Sequence, residues 1–411
     1  MSVNNAFTQR LRLSQSLCDN MELEAAKLLV KNQIKLFTDT IWTNPGKIVW
    51  TNMVMPTELF YAADLIPVNM ELLAGWTATL NLSSNYIHIA HAKGYHINLC
   101  SYHKAVIGAI ECGDLPPPKL AVLSSHICDG GHGMLQYFKR RHSTKTLFID
   151  IPYHPTAANT DLVKDKITKT KRFIENERQE FYPTEKLRQV ISYSNEARNY
   201  LVLANDLRKK NVLFYGNLAI RNLFGTTFLL GSELGVNVAR SYYEQLCEIA
   251  AHGPTEIAVK KPYRILWIHF APLHAGGMMR YFEDALNCVI AFDITGYVYW
   301  EELEEEDPCK SIAKKAISHF FLGCVTNRMN LYKRIVAEYG IDGIILFMHA
   351  GCRAIPGSSW EVKHISEELG IPCLELPGDC IDPGAFSSGQ LRLRMEAFSE
   401  SLEKKRDVSG N

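Results

Sequence analysis

The sequence predicts an α/β protein built from two doubly wound parallel-sheet domains, with an N-terminal helix and a helical connector. Three observations predict it. Short apolar runs of strand length alternate with helical stretches in two separate series. At 411 residues the chain is too long for one ordinary core. Between the two series, residues 158–207 carry Lys, Glu, Arg and Asn around periodic apolar positions, the pattern of long amphipathic helices. The expected layout is an N-terminal helical segment at 1–40, a first α/β domain at 41–157, a connector at 158–260 and a second α/β domain at 261–411.

Each element has its own signal. Residues 6–38 repeat Leu11, Leu17, Met21, Leu28 and Ile34 at roughly helical spacing and read as helix. Lys47–Trp50 is a strand, Pro56 to Ala63 a helix opened by its proline, and Ile66–Val68 a second strand. A helix over Lys104–Glu111 follows, then strands at Leu120–Ser124 and Thr146–Ile151, the latter stopped by Pro152. The second series opens with the run Arg264–Phe270. Strands at 286–293, 343–348 and 372–376 alternate with helices near 278, 310–322, 327–339, 358–369 and 388–404.

Composition excludes several functions. Lys plus Arg equal Asp plus Glu at 44 each, so no global basic field recruits nucleic acid. No run reaches the roughly 18–20 apolar residues of a membrane span. The N-terminus lacks the apolar core of a secretory signal, which places the expected location in the cytoplasm. Eleven scattered cysteines do not form the framework of a small secreted domain.

Ligands of open α/β sheets sit beyond the C-terminal strand ends, and three cysteines occupy such places. Cys128 follows the strand at 120–124 in "SSHICDGGHG", Cys352 follows 343–348 in "FMHAGCRAIPG", and Cys100 precedes a helix in "INLCSYHKAVIG". Thiols near helix N-termini ionise more readily and make better ligands and nucleophiles. For each, a plain buried thiol is the alternative. Structural zinc pairs its cysteines two to four residues apart. Three thiolates from distant segments suit a larger, softer group such as an iron–sulfur cluster.

Five stretches carry a resemblance: "MPTELFYAADLIPVNM" (55–70), "LCSYHKAVIG" (99–108), "LPPPKLAVLSSHICDGG" (115–131), "GIDGIILFMHAGCR" (340–353) and "LGIPCLELPGDCIDPGAFSSGQLRLRMEAF" (369–398). In this order, across roughly 45–400, they resemble the 2-hydroxyacyl-CoA dehydratase family, which includes benzoyl-CoA reductase subunits and double-cubane cluster reductases. The resemblance implies flavodoxin-like domains around a 4Fe–4S cluster held by Cys100, Cys128 and Cys352, with one iron lacking a protein thiolate. Double-cubane members use further cysteines; Cys324 lies near one such place, and its remaining partners are not evident. Glu58 matches a family position close to the cluster, where a carboxyl could handle a proton or the leaving hydroxyl; an N-terminal helix carboxylate favoured by the dipole is the alternative. The family often carries Cys or Ser upstream, where this chain has Thr51 and Asn52.

The resemblance further implies water elimination from an acyl-CoA substrate through a ketyl radical, a second dehydratase-type subunit in a homo- or heterodimer, and a separate ATP-hydrolysing iron–sulfur activator. No Walker A sequence stands in the chain itself. The alternatives are a benzoyl-CoA-type or double-cubane reductase subunit, a non-catalytic electron-relay subunit, or an α/β protein without a cluster. Around the cysteines, His103, His126, His132 and His349 are candidates to tune a cluster, with plain second-layer imidazoles as the alternative. The glycine pair of "APLHAGGMMR" (271–280) could meet a phosphate of coenzyme A or simply make a turn. The acidic run "EELEEEDP" (301–308) reads as a solvated loop, and Arg392 and Arg394 read as structural.

Overall fold

The computed structural model describes residues 4–18, 21–126, 128–210, 225–252, 261–385 and 387–409. Among them stand two four-stranded parallel sheets, as the alternating pattern predicts. The first has the order β2-β1-β3-β4, with β1 Ile48–Thr51, β2 Ile66–Asn69, β3 Leu120–Ser124 and β4 Lys145–Ile149. The second has the order β6-β5-β7-β8, with β5 Tyr263–Ile268, β6 Cys288–Asp293, β7 Gly343–His349 and β8 Cys373–Gly378. The two orders are one topology used twice, the doubly wound arrangement whose strand order reverses beside the first strand. By this correspondence β3 and β7 hold the same place in their sheets.

Burial on both faces explains the apolar strands. Side chains alternate along a strand, so Trp50 and Val49, or Trp267 and Leu266, enter different cores. One core contains Trp50 and Leu123 of the first sheet together with Trp267 and Phe347 of the second, so the two halves share an interior. The other face of the first sheet carries Val49 and Val122 and packs with Val163, Ile167 and Ile312. The far face of the second sheet carries Leu266 and Leu346 against helices Val325–Tyr339 and Ser359–Glu368.

The connector is helical where described: Ala157–Arg178, Thr184–Lys209 and Glu233–Ala251. Its residues 211–224 and 253–260 lie outside the described set. Rather than bridging solvent, Thr184–Lys209 packs its Leu201 and Ala204 with Leu29 near the N-terminus and with Tyr242 and Leu246. The expected single helix over 6–38 is two, Ala6–Cys18 and Glu24–Lys35, followed by a π-turn at Leu36–Thr40. Three longer helices absent from the sequence reading, Met70–Thr79, Ser83–Ala92 and Gly130–His142, also belong to the first half. Among the described residues no helix is long and apolar enough to cross a membrane.

Candidate functional site

The strands deliver the cysteines to one place. Cys128 follows β3 and Cys352 follows β7, at matching edges of the two sheets, while Cys100 immediately precedes helix Ser101–Glu111. All three thiols line a single cavity of about 220 Å³, with Glu71, His103, His126, His269 and His349 also in its wall. Cys324 is not in that wall; it is exposed, with its Sγ 3.3 Å from Thr326 Oγ1.

Each cysteine segment is fixed by a partner distant in sequence. Asn52, just beyond β1, clamps β3 by donating from Nδ2 to Ser124 O (2.8 Å) and accepting at Oδ1 from Ser124 N (2.9 Å). Ser101 Oγ donates to Asp379 Oδ1 (2.6 Å), and the same oxygen accepts from Ile381 N and Asp382 N (both 2.8 Å). This ties the helix behind Cys100 to the loop after β8. Asp129 and Arg353, neighbours of Cys128 and Cys352, form an exposed ion pair across the cavity mouth. Two glycines allow the close approach. A Cβ on Gly130 would lie 2.1 Å from His103 Cε1 and 3.3 Å from Cys128 Sγ. Gly351 has φ +79°, and a Cβ there would press within 3.2 Å of Cys100 Cα.

The histidines differ in duty. Cys380 N donates to His349 Nδ1 (3.1 Å), which leaves the Nε2 proton facing Cys100 Sγ at 3.4 Å. Burial pushes the His349 imidazole down to about 3, with His103 and Lys104 adding repulsion, so it is neutral. His126 is committed to the fold: its Nδ1 meets Ser124 Oγ (2.8 Å) and its Nε2 meets Ala316 O (2.9 Å). His103 Nε2 stands 3.8 Å from Glu71 Oε1, and its Nδ1 is buried with no hydrogen-bond partner. His132 is not in the wall and packs edge-on against Phe148 at 5.1 Å. His269 was not singled out in the sequence; it sits at the end of β5 with φ +89°, a strained backbone position for a non-glycine residue on the cavity wall.

Burial pushes the Cys100 thiol well up, with further repulsion from Cys128 and Cys352. Burial likewise pushes Cys128 up to about 11, with Glu71 and Cys352 adding repulsion. Such thiols stay protonated until a cation takes the proton's place; a coordinating metal deprotonates them outright. Among the described residues no three His, Cys, Asp or Glu side chains could hold one metal ion together. A multi-iron cluster binds its thiolates at separate irons and so spans sulfurs that one ion does not. The donor set fits such a cluster: three soft thiols on one wall, a His349 N–H beside one of them, and the orphaned His103 Nδ1 in the same wall. Cys100, Cys128 and Cys352 are the residues that would hold it.

Glu58 lies elsewhere. It is wholly buried at the start of helix Glu58–Ala62 and is absent from the cysteine cavity wall. Its Oε1 accepts from Ser194 Oγ and from Lys315 Nζ, both at 2.6 Å, and its Oε2 is buried with no partner. Lys315 opens onto a second cavity of about 380 Å³, whose wall includes Pro56 and Thr57 beside Glu58. The two cavities share Met53, Phe270, Thr295 and Phe321 and therefore adjoin. The acidic run contributes Glu301 and Glu302 to that second wall instead of only a solvated loop. Arg392 pairs with Glu396 (2.9 Å), and Arg394 Nη1 donates to Glu375 O (3.4 Å). Gly276 and Gly277 open a helix with free space around them.

Lys315, Asn52 and Asp379 matter to the site yet carry no local signature. Only Asp379, inside the "LELPGDC" stretch, stood in a quoted motif.

Comparison with known proteins agrees with this architecture. The (R)-2-hydroxyisocaproyl-CoA dehydratase alpha subunit of Clostridioides difficile is 22% identical over 380 residues, 88% of this chain and 91% of its own length. The (R)-phenyllactyl-CoA dehydratase alpha subunit of Clostridium sporogenes is 21% identical over 385 residues, with the same coverage of 88% and 91%. A benzoyl-CoA reductase subunit of Thauera aromatica is 22% identical over 388 residues, 85% of this chain and 87% of its own. The family described as 2-hydroxyglutaryl-CoA dehydratase, D-component, matches residues 52–402, which takes in three strands of the first sheet, the whole second sheet and all three cavity cysteines. The chain belongs to the 2-hydroxyglutaryl-CoA dehydratase D-component family, a family of acyl-CoA dehydratase subunits, which are lyases.

Proposed function

We propose that this chain is the iron–sulfur subunit of a 2-hydroxyacyl-CoA dehydratase that eliminates water through a ketyl radical. The observation that carries the reading is the convergence of Cys100, Cys128 and Cys352 on one cavity. Those residues would hold a 4Fe–4S cluster. When bound, the cluster supplies a single electron to the thioester.

The chemistry needs that electron because the β-proton of a 2-hydroxyacyl thioester is not acidic. One electron turns the thioester carbonyl into a ketyl radical anion, which expels the neighbouring hydroxyl as hydroxide. Loss of the β-proton and return of the electron leave the enoyl thioester and water, with no net oxidation. The protein's part is to keep water out, orient the thioester and move protons. The shared wall of Met53, Phe270, Thr295 and Phe321 would bring the reacting carbons beside the thiols. Glu58 is the proposed proton-handling group with Lys315 as its relay: the Lys315 ammonium would pass a proton to Glu58 Oε1 and take the β-proton of the substrate in its place.

The electron would come from a separate ATP-hydrolysing iron–sulfur activator, and a second dehydratase-type subunit would complete the enzyme. Relatives named as alpha subunits support the latter. The benzoyl-CoA reductase relative matches at the same 22% identity as the hydroxyisocaproyl-CoA dehydratase relative, so the electron's fate decides the reaction. The test is turnover of the assembled, activated enzyme with a 2-hydroxyacyl-CoA under anaerobic conditions. Many waters eliminated per electron supplied supports the dehydratase. Two electrons consumed per product overturns it in favour of a reductase.

A further inference from the structure

Resting on the acyl-CoA reading above, we propose that the second cavity receives the acyl tail and selects a neutral, ring-bearing tail over an acidic one. The cavity adjoins the cysteine cavity through four shared wall residues, so a thioester beside the thiols would direct its tail there. Its volume of about 380 Å³ is ample for an aryl group; a dry cavity of about 150 Å³ already takes benzene.

The wall is aromatic. Phe228, Tyr297, Tyr299, Trp300, Phe320 and Phe321 line it. The Tyr297 and Phe320 rings stand edge to face at 5.2 Å, and Phe320 and Phe321 lie 4.2 Å apart. Rings arranged this way offer both faces and edges to another ring.

The charges of the wall exclude an anion. Its two lysines are committed: Lys315 Nζ to Glu58 Oε1 at 2.6 Å, and Lys314 Nζ to Glu304 Oε1 at 2.7 Å. Lys315 also stands over the Trp300 ring at 5.0 Å. His319 is neutral, because burial and the nearby His126 and Lys315 push its imidazole down to about 3. Two further carboxylates, Glu301 and Glu302, belong to the wall. Arg198 answers Glu302 from 3.8 Å. Among the described residues of this wall, a tail ending in a carboxylate would therefore meet acidic side chains and no uncommitted cation, and an unpaired charge taken out of water is costly.

Anaerobic titration of the cluster-reconstituted chain with two unreactive thioesters, 3-phenylpropanoyl-CoA and glutaryl-CoA, tests the inference, with free CoA as reference. The aryl thioester should bind at least about tenfold more tightly than glutaryl-CoA, a difference of about 1.4 kcal/mol. Trp300→Ala should weaken the aryl thioester severalfold and leave glutaryl-CoA nearly unchanged. Glu58→Gln should shift the ratio the other way, toward glutaryl-CoA, by releasing the Lys315 ammonium. These opposed shifts separate selectivity from a general loss of folding. Equal or tighter binding of glutaryl-CoA to the parent chain overturns the inference while leaving the acyl-CoA reading intact. Failure of every CoA compound to bind overturns both.

Discussion

At the C-terminal edge of β3, His126 hydrogen-bonds to Ser124 and to the carbonyl of Ala316. At the matching edge of β7, His349 takes a backbone N–H from Cys380 and offers its own to Cys100. Both edges then release a cysteine into the same cavity, Cys128 from one and Cys352 from the other. The backbone plan is repeated, but the imidazole of the first half braces the fold and that of the second addresses a sulfur. A duplicated topology thus places two thiols at equivalent strand ends. The residues around the anchors are free to diverge, and they set the chemistry.

The strongest way to sharpen this contrast is at the contact where the halves exchange a charge. Glu58 comes from the first half and Lys315 from the second, and they meet at 2.6 Å. Glu58→Gln keeps the shape and removes the proton acceptor, so kcat should fall by about 10²–10⁴-fold. Steady-state turnover of the assembled enzyme reads it, and an unchanged kcat would leave Glu58 a structural carboxylate.

The two imidazoles should then separate. His349→Phe removes the N–H beside Cys100 and should cost about 10–100-fold in cluster retention or activity, as loss of an outer-layer ligand partner does. A shifted cluster potential should accompany it. His126→Gln should leave the potential in place and lower stability by about 1–3 kcal/mol, because it disturbs a buried hydrogen-bonded group. Redox titration alongside thermal unfolding distinguishes the two. Equal effects on potential would erase the asymmetry.

A smaller, pH-dependent effect belongs to His319, whose ring lies 6.4 Å from that of His126. Burial holds it down to about 3 in the folded chain, whereas an unfolded histidine titrates near about 6.5. Between those values the unfolded chain binds the extra proton, so stability falls as pH drops through that window and is unaffected above it. His319→Phe should lose less thermal stability than the parent between pH 7 and pH 5. Identical losses would contradict this assignment. The least effect is expected at Asp129→Asn. The ion pair with Arg353 is exposed on both sides, so its loss should cost less than about 1 kcal/mol.

Much of this was legible in the sequence, for physical reasons that can be named. The strands are buried on both faces and so stand out as short apolar runs, and thiols placed beyond their C-terminal ends mark the crevice. Helix Met70–Thr79 was missed because burial removes the polar face that betrays a helix: Met70, Leu73, Ala74, Thr77 and Ala78 are all buried. The supports of the site are harder still to read. Ser101 and Asp379 are 278 residues apart, and Glu58 and Lys315 are 257 apart. No local pattern announces such partners. The acidic run at 301–308 is the exposed loop its composition indicates, and two of its anions, Glu301 and Glu302, also edge the second cavity, which the composition does not show.

The central claim is that thiols from both halves and from the Cys100 helix grip one cluster. Anaerobic iron and acid-labile sulfide analysis of the purified chain, beside its Cys100→Ser, Cys128→Ser, Cys352→Ser and Cys324→Ser variants, tests it most directly. The account predicts about four irons and four sulfides per chain, lost in the first three variants and retained in Cys324→Ser. Iron and sulfide that survive each of the first three substitutions, or that are absent from the parent chain, would contradict it.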